Sequence, residues 1–512
     1  MDPAGLQILI SRLTGVATEM GEVLRRSSFS PNIKERADCS AAVFTASGEL
    51  LVQAEHIPVH LGSMPASVAA AIAATGEAAP GEQTILNDPF AGGTHLNDIT
   101  LVAPCHVDGR LAGWVANRAH HADLGGMAPG SMPPAATEIY QEGLRIPPVR
   151  LSSGLVAVLE ANSRTPAERR GDIEAQAGAN QIGVQRLAAV CAAVNGSWSA
   201  YFGEVLAYGE RRMRKALSEL PDGSWAVSDR LDSSGAGGGG PVVIRLRLTV
   251  SGSEAVFDFT GTDGQRPGNV NAVRAVTASA VAWALRSAAD PGIPANGGAL
   301  RPVRIVTPEG SVVAARPPAA VGAGNVEVSQ RVADVCLLAL AQAAPDRVGA
   351  AGQGTMNNLI LGGPSGWVYY ETIGGGQGGR PGRAGMSGVH TAMTNTRDTP
   401  TEALERVHPI RVLRYRLREK SGGAGRWPGG DGIERVIQVL EPATVSMITE
   451  RRVSQPWGLA GGHAGASGEN WLWPGGDEAK RVPLADKITV ELAAGDAVCL
   501  LTPGGGGWGP PS

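Results

Sequence analysis

Leu6, Leu9, Leu13, Val16, Met20 and Leu24 recur at steps of three and four residues behind Pro3, which predicts an amphipathic helix over residues 3 to 26. Residues 41 to 53 (AAVFTASGELLVQ) predict a hairpin turning at Ser47-Gly48. Ser63, Pro65 and the alanine-rich run to Thr75 predict a capped helix that stops at Gly76. The next unit is more informative. Residues 99–107 (ITLVAPCHV) and 110–118 (RLAGWVANR) flank Asp108-Gly109, a strong two-residue hairpin signal. Counting outward from Val107 opposite Arg110, an unbroken ladder puts His120 opposite Asn97, beside Asp98 and diagonal to His95. A single bulge puts His120 directly opposite Asp98, and alternation sends His121 to the other face.

Beyond a proline-rich loop at 128–134, Thr165-Pro166-Ala167-Glu168 has the form of a capping box. It opens a helical region that runs to about residue 219, with a break near Asn195-Gly196. The string SGAGGGGP at 234–241 predicts a flexible segment and a domain boundary. Strict alternation in VVIRLRLTV, turning at Ser251-Gly252 into EAVFDFTG, predicts a second hairpin. Alanine-rich stretches at 273–288 and 328–344 predict helices. Past residue 350, short strands alternate with glycine-rich turns, and Thr399-Pro400-Thr401-Glu402 repeats the capping pattern. The whole predicts a mixed α+β fold, strand-rich in its N- and C-terminal parts around a helical middle section. Four sections are expected: 1–160 with the N-terminal helix and hairpins, a helical 161–233, a mixed 234–350, and a glycine-rich, strand-rich 351–512.

Composition narrows the classes. The net charge is −4 and no long basic run occurs, which argues against nucleic acid as a partner. No apolar run reaches the roughly 18 residues of a membrane span. The opening MDPAGLQILISRL lacks a basic region and a small-residue cleavage site, so a secretory signal is not expected. Five well-separated cysteines without a CxxC pair suit reduced thiols in a cytoplasmic protein, with Cys105 a buried structural thiol.

Six of the nine histidines lie between positions 56 and 121: His56, His60, His95, His106, His120 and His121. Asp88, Asp98 and Asp123 share that window, with Glu55 at its edge. The string Gly92-Gly93-Thr94-His95-Leu96-Asn97-Asp98, with His120 across the hairpin, offers two imidazoles and a carboxylate, a ligand set for Zn, Mn or Fe with positions left for water. The same spacing also suits histidines packed within a sheet, and the residues alone leave both readings open. His60 and Glu55-His56 stand as further pocket residues or as structural ones, and Asp38 as a fourth ligand or a turn carboxylate. The glycine-rich strings lack the Lys-Ser/Thr ending of a phosphate loop and read as surface turns. Neither a Gly-x-Ser-x-Gly elbow nor an electropositive cysteine supports nucleophilic catalysis.

Several strings resemble the hydantoinase B / 5-oxoprolinase family. They are Arg26-Ser27-Ser28-Phe29-Ser30, Ile33-Lys34-Glu35-Arg36, Asp38-Cys39-Ser40, Pro58-Val59-His60-Leu61-Gly62-Ser63-Met64, Asn87-Asp88-Pro89-Phe90 and Gly93-Thr94-His95-Leu96-Asn97-Asp98. Tyr370-Glu371-Thr372-Ile373-Gly374-Gly375-Gly376, Met393-Thr394-Asn395-Thr396, Ser421-Gly422-Gly423-Ala424-Gly425 and Pro456-Trp457-Gly458 carry the resemblance nearly to the end. Cys39 departs from it, since relatives often have an aromatic residue after the aspartate.

The resemblance implies the metal-bearing subunit of an ATP-dependent cyclic amide hydrolase acting with a hydantoinase A-like ATPase subunit, where the ATP is used. It implies His95, Asp98 and His120 as metal ligands, with Asp38 as a further one. In that scheme the partner phosphorylates the lactam oxygen, and water activated at the metal opens the ring while His121, Asp123 or His60 shuttles the proton. Arg36 or Arg118 is the candidate to steady the phosphate. Two alternatives remain at this stage: a subunit of an ATP-dependent ketone carboxylase, and a non-catalytic scaffold that docks the ATPase.

Overall fold

The computed structural model describes residues 2–54, 57–76, 78–194, 197–235 and 239–511. Glu55, His56, the expected break at Asn195-Gly196 and the middle of the 234–241 string lie outside the described residues. The N-terminal helix α1 (Pro3–Ser27) starts behind Asp2, whose side chain accepts from Gly5 N at 2.6 Å. It buries Leu6, Leu9, Leu13, Val16, Met20 and Leu24, the residues whose period predicted it. A short α2 (Pro31–Lys34) follows.

The first sheet holds β1 (Cys39–Thr45), β2 (Leu50–Ala54), β3 (Thr84–Leu86), β4 (Asp98–Val107), β5 (Arg110–His120) and β6 (Val149–Arg150), in the order β2-β1-β5-β4-β3-β6. Both of its faces are covered. Ala41 and Val43 pack with Leu13 of α1 and with Leu187 and Phe202, which lie on α5 (Pro166–Ala192) and α6 (Trp198–Ser218). Ala42 and Phe44, pointing the other way, pack with Met64 and Val68 of α3 (Met64–Thr75). The β4–β5 hairpin turns at Asp108-Gly109, both with positive φ (50° and 71°), as a primed turn requires. Its ladder contains the single bulge, between Cys105 and His106, so Asp98 pairs with His120.

Three expected helix caps differ in detail. Ser63 precedes α3, but its hydroxyl donates to the Val59 and His60 carbonyls and receives Arg118, so it does not cap the helix. Thr165 precedes α5 without a side-chain capping bond, and α9 (Thr401–Val407) begins behind Pro400 rather than Thr399. The sequence pattern also missed α4 (Ser153–Ala161), which packs against α5.

A second sheet, β10-β9-β8-β7, contains β7 (Gly223–Leu231), β8 (Val242–Ser251), β9 (Glu254–Asp258) and β10 (Val303–Val306). The strands flanking the glycine-rich 234–241 string pair with each other from Gly223–Val250 to Leu231–Val242. Val242, Ile244, Leu246 and Leu248 alternate inward onto α7 (Arg274–Ala288) and α8 (Ser329–Ala343).

The remaining strands are β11 (Asn358–Gly363), β12 (Trp367–Thr372), β13 (Ile410–Arg418), β14 (Gly432–Val439), β15 (Ala443–Ile448), β16 (Glu469–Trp473), β17 (Val482–Pro483), β18 (Lys487–Leu492) and β19 (Ala497–Leu501). They form the sheets β12-β11-β15-β18 and β13-β14-β19-β16-β17, which share a core of Leu359, Leu361, Val445, Met447, Ile437 and Val498. Buried ion pairs weld this part to the second sheet: Arg331 and Arg451 both reach Asp229 and Asp334 at 2.7–3.1 Å.

The glycine-rich strings at 374–376 and 504–507 are not surface turns. Gly374–Gly376 and Gly504–Gly507 are buried, and extended segments hydrogen-bond side by side through their backbones: Gly376 N to the Pro503 carbonyl, Gly505 N to that of Gly430, Gly379 N to that of Gly506. A Cβ on Gly505 would stand 2.1 Å from the Gln377 oxygen. The backbones lie too close for any side chain, so glycine is required by packing rather than by turning.

Candidate metal centre

Asp98 opens β4 and His120 closes β5, so the hairpin register alone brings carboxylate and imidazole together. His95 arrives on the preceding loop. There Gly92 has φ 93° and a Cβ on Gly93 would meet the Asn87 and Asp88 carbonyls at 2.7 Å, so the loop can fold this tightly only with glycines. Three asparagines clamp the frame: Asn97 Nδ2 donates to the His121 and Gly130 carbonyls, Asn87 Nδ2 to that of Leu96, and Asn32 Nδ2 to that of His120.

Three atoms converge. His95 Nε2 lies 3.2 Å from His120 Nδ1 and 3.2 Å from Asp98 Oδ1, and His120 Nδ1 lies 3.4 Å from the same oxygen. All three residues are at least 97% buried, and among the described residues Asp98 Oδ1 has no hydrogen-bond donor. The other carboxylate oxygen, Oδ2, is held by Thr94 Oγ1 at 2.5 Å and Asn325 Nδ2 at 3.3 Å. Ligand atoms about 2.1 Å from an ion stand about 3.0 Å apart at octahedral angles and about 3.4 Å apart at tetrahedral ones. The observed triangle falls in that range, so two imidazoles and a carboxylate can hold one divalent cation from one side. Burial by itself would raise the Asp98 pKa, but the imidazoles of His95, His120 and His60 hold it well below the usual carboxylate range.

His60 joins the group from the side. Its Nδ1 meets Ser40 Oγ at 2.8 Å and its Nε2 stands 3.5 Å from Asp98 Oδ2, at the edge of the triangle. Asp38 adjoins it: its backbone carbonyl accepts from His120 N at 3.0 Å. Burial first, and then the charge of Asp38, push the Tyr370 hydroxyl well above its ordinary value. The Asp38 carboxylate is not among the three groups that converge.

His121 and Asp123 are not brought to this site. His121 points to the opposite face of the sheet, where its Nε2 meets Gln176 of α5 at 2.9 Å, and burial pulls its pKa down to about 4. Asp123 accepts from Gly125 N, Gly130 N, Arg164 N and Arg164 Nη1, which braces the loop after β5. The two candidate phosphate ligands are also committed. Arg36 donates to the Tyr370 and Thr372 carbonyls and to the Thr372 and Thr396 hydroxyls. Arg118 donates to Ser63, Ser67 and Thr100 at 2.5–2.9 Å, and burial lowers its pKa to about 10.

Two contributors have no local signature. Asn325 lies 227 residues from the carboxylate it holds. Tyr370 of β12 stacks on His120 with ring centroids 4.7 Å apart and planes 12° apart.

The hydantoinase B/oxoprolinase family model matches residues 2–511. The chain belongs to the hydantoinase B/oxoprolinase family. It is 40% identical to 5-oxoprolinase 1 of Arabidopsis thaliana over 99% of its own length, yet spans only 42% of that relative. The fold of the ATP-dependent caprolactamase of Pseudomonas jessenii superposes with a TM-score of 0.92 at 28% identity, covering 100% of this chain and 91% of that one. Nucleotide-free acetone carboxylase shares the fold, with a TM-score of 0.90 at 18% identity over 99% of this chain and 76% of that one. Family membership and the mixed α+β architecture thus agree with the sequence reading. Among the described residues, no helix is long and apolar enough to cross a membrane, and all five cysteines are buried and unpaired.

Proposed function

We propose that this member of the family is the metal-bearing part of an ATP-dependent enzyme that opens cyclic amides, working with a hydantoinase A-like ATPase subunit. The observation that carries the reading is the buried triangle of His95 Nε2, Asp98 Oδ1 and His120 Nδ1, whose edges suit one divalent ion. Support for the substrate class comes from the names of relatives: 5-oxoproline and caprolactam share one reacting group, the ring amide. More than half of the Arabidopsis relative lies outside the matched region, and the proposal assigns the ATP chemistry to that kind of sequence.

A Zn, Mn or Fe ion bound there would supply Lewis-acid chemistry, the means by which water becomes a nucleophile near neutral pH. His95, Asp98 and His120 would hold such an ion, with Asp38 the further candidate ligand. Thr94 and Asn325 occupy Asp98 Oδ2, which turns Oδ1 toward the two imidazoles. His60, held at Nδ1 by Ser40, is the group placed to take a proton from water and return it to the leaving nitrogen. The enclosing side chains keep bulk solvent from the reacting centre.

The test is elemental analysis of wild type and His120→Ala, both purified without a histidine tag, followed by lactam-dependent ATP hydrolysis with the partner. About one metal per chain, lost together with turnover in the variant, is expected. Bicarbonate-dependent rather than lactam-dependent turnover would move the chain to the ketone carboxylases. Wild type without metal, even after reconstitution with the partner, would leave a docking scaffold.

A further inference from the structure

The His120 ring is anchored in an unusual way. Metal-binding imidazoles generally donate their far N–H to a carboxylate or carbonyl, which fixes the ring plane. His120 Nε2 is buried and, among the described residues, has no hydrogen-bond partner. The ring instead lies flat against Tyr370, 4.7 Å between centroids and 12° between planes.

Tyr370 is itself held at both ends. Its carbonyl receives Arg36 Nη1 at 2.8 Å, and the same guanidinium lies 5.7 Å from its ring centroid. Its hydroxyl donates to Asn358 Oδ1 at 2.9 Å. Asn358 Nδ2 in turn donates to the Ile448 carbonyl at 2.8 Å and to Glu327 Oε1 at 2.9 Å. The phenol ring is therefore a fixed plate set by β11, β12 and β15. Its hydroxyl is committed to Asn358, so the residue offers the centre a face, not a ligand atom.

We infer that Tyr370 is a positioning residue for the metal centre: its anchored ring replaces the usual hydrogen bond and holds the His120 imidazole in the plane that aims Nδ1 at Asp98 and His95. The inference rests on the metal reading above. It also makes the C-terminal sheet a component of a site whose ligands all lie in the first quarter of the chain. A ring left free to turn about its Cβ–Cγ bond would sample orientations that miss the ion, and metal affinity would fall.

The test measures Co(II) affinity of the full chain by competition with a chromophoric chelator, together with the visible d–d spectrum of the bound ion. The variants are Tyr370→Phe, which keeps the flat face, and Tyr370→Leu and Tyr370→Met, which remove it. Circular dichroism confirms folding, and the methionine variant, unbranched and able to fill an irregular gap, serves if the leucine one does not fold. Binding by Tyr370→Phe should stay within about threefold of wild type, and the non-aromatic variants should weaken it about 10–100-fold with an altered d–d band. Wild-type affinity and an unchanged spectrum in a folded non-aromatic variant would overturn the positioning role alone. Wild type that binds no metal would overturn the metal reading, and this inference with it.

Discussion

Asp98 faces His120 directly across the β4–β5 ladder because β5 carries one residue more than β4 beside the turn, between Leu111 and Gly113. An unbroken ladder would set Asn97 there instead. The bulge shifts the register by one and leaves carboxylate and imidazole on one face. Asp98→Asn preserves the shape of the side chain and removes its charge. Metal per chain, read by elemental analysis, should then fall below about a tenth of the wild-type value with the far-ultraviolet dichroism unchanged. Full metal occupancy in this variant would mean that the carboxylate is not a ligand.

His60 touches the edge of the triangle without being part of it, so its role separates from that of the ligands. His60→Ala should retain bound metal while turnover with the ATPase partner drops by about a hundredfold or more. Loss of metal along with activity would make His60 a ligand instead.

His408 sets an acid limit on stability. It lies between the rings of Trp367 and Tyr369, at 5.5 and 5.4 Å, and among the described residues neither ring nitrogen has a partner. Burial lowers its pKa from 6.5 to about 4. Between those values the unfolded chain binds a proton that the folded chain refuses, so this residue's contribution falls as pH drops through the window, by about 1.4 kcal/mol per pH unit. His408→Phe should make the urea-derived stability of the chain less steep by about one proton between pH 6.5 and 4. Equal slopes in the two proteins would show that His408 is not held neutral.

Glycines in the C-terminal bundle and in the helices should respond in opposite ways. Gly505→Ala forces a Cβ to 2.1 Å from a backbone oxygen, and a loss of several kcal/mol, about 3 or more, is expected. Gly203 lies exposed on α6 with nothing within 4 Å of a built Cβ. Gly203→Ala should raise stability by about 0.5–1 kcal/mol, since alanine loses less backbone freedom in a helix. Denaturant midpoints for the two variants check both signs, and a mild effect at Gly505 would refute close backbone packing.

The sequence by itself determined the elements built from neighbours: α1 from its three- and four-residue period, the β4–β5 hairpin from Asp108-Gly109, and the grouping of His95, Asp98 and His120 from that hairpin. These rest on covalent spacing and on torsions that adjacent residues impose. Only the tertiary structure decided that the bulge falls at Cys105–His106, that His60 closes on the carboxylate, and that His121 and Asp123 turn away to Gln176 and Arg164. It likewise decided that Asn325 and Tyr370 come from far along the chain, and that strings read as turns pack backbone to backbone. Such contacts form where whole surfaces dock, and a docked partner hundreds of residues away leaves no period or turn signal in the local sequence.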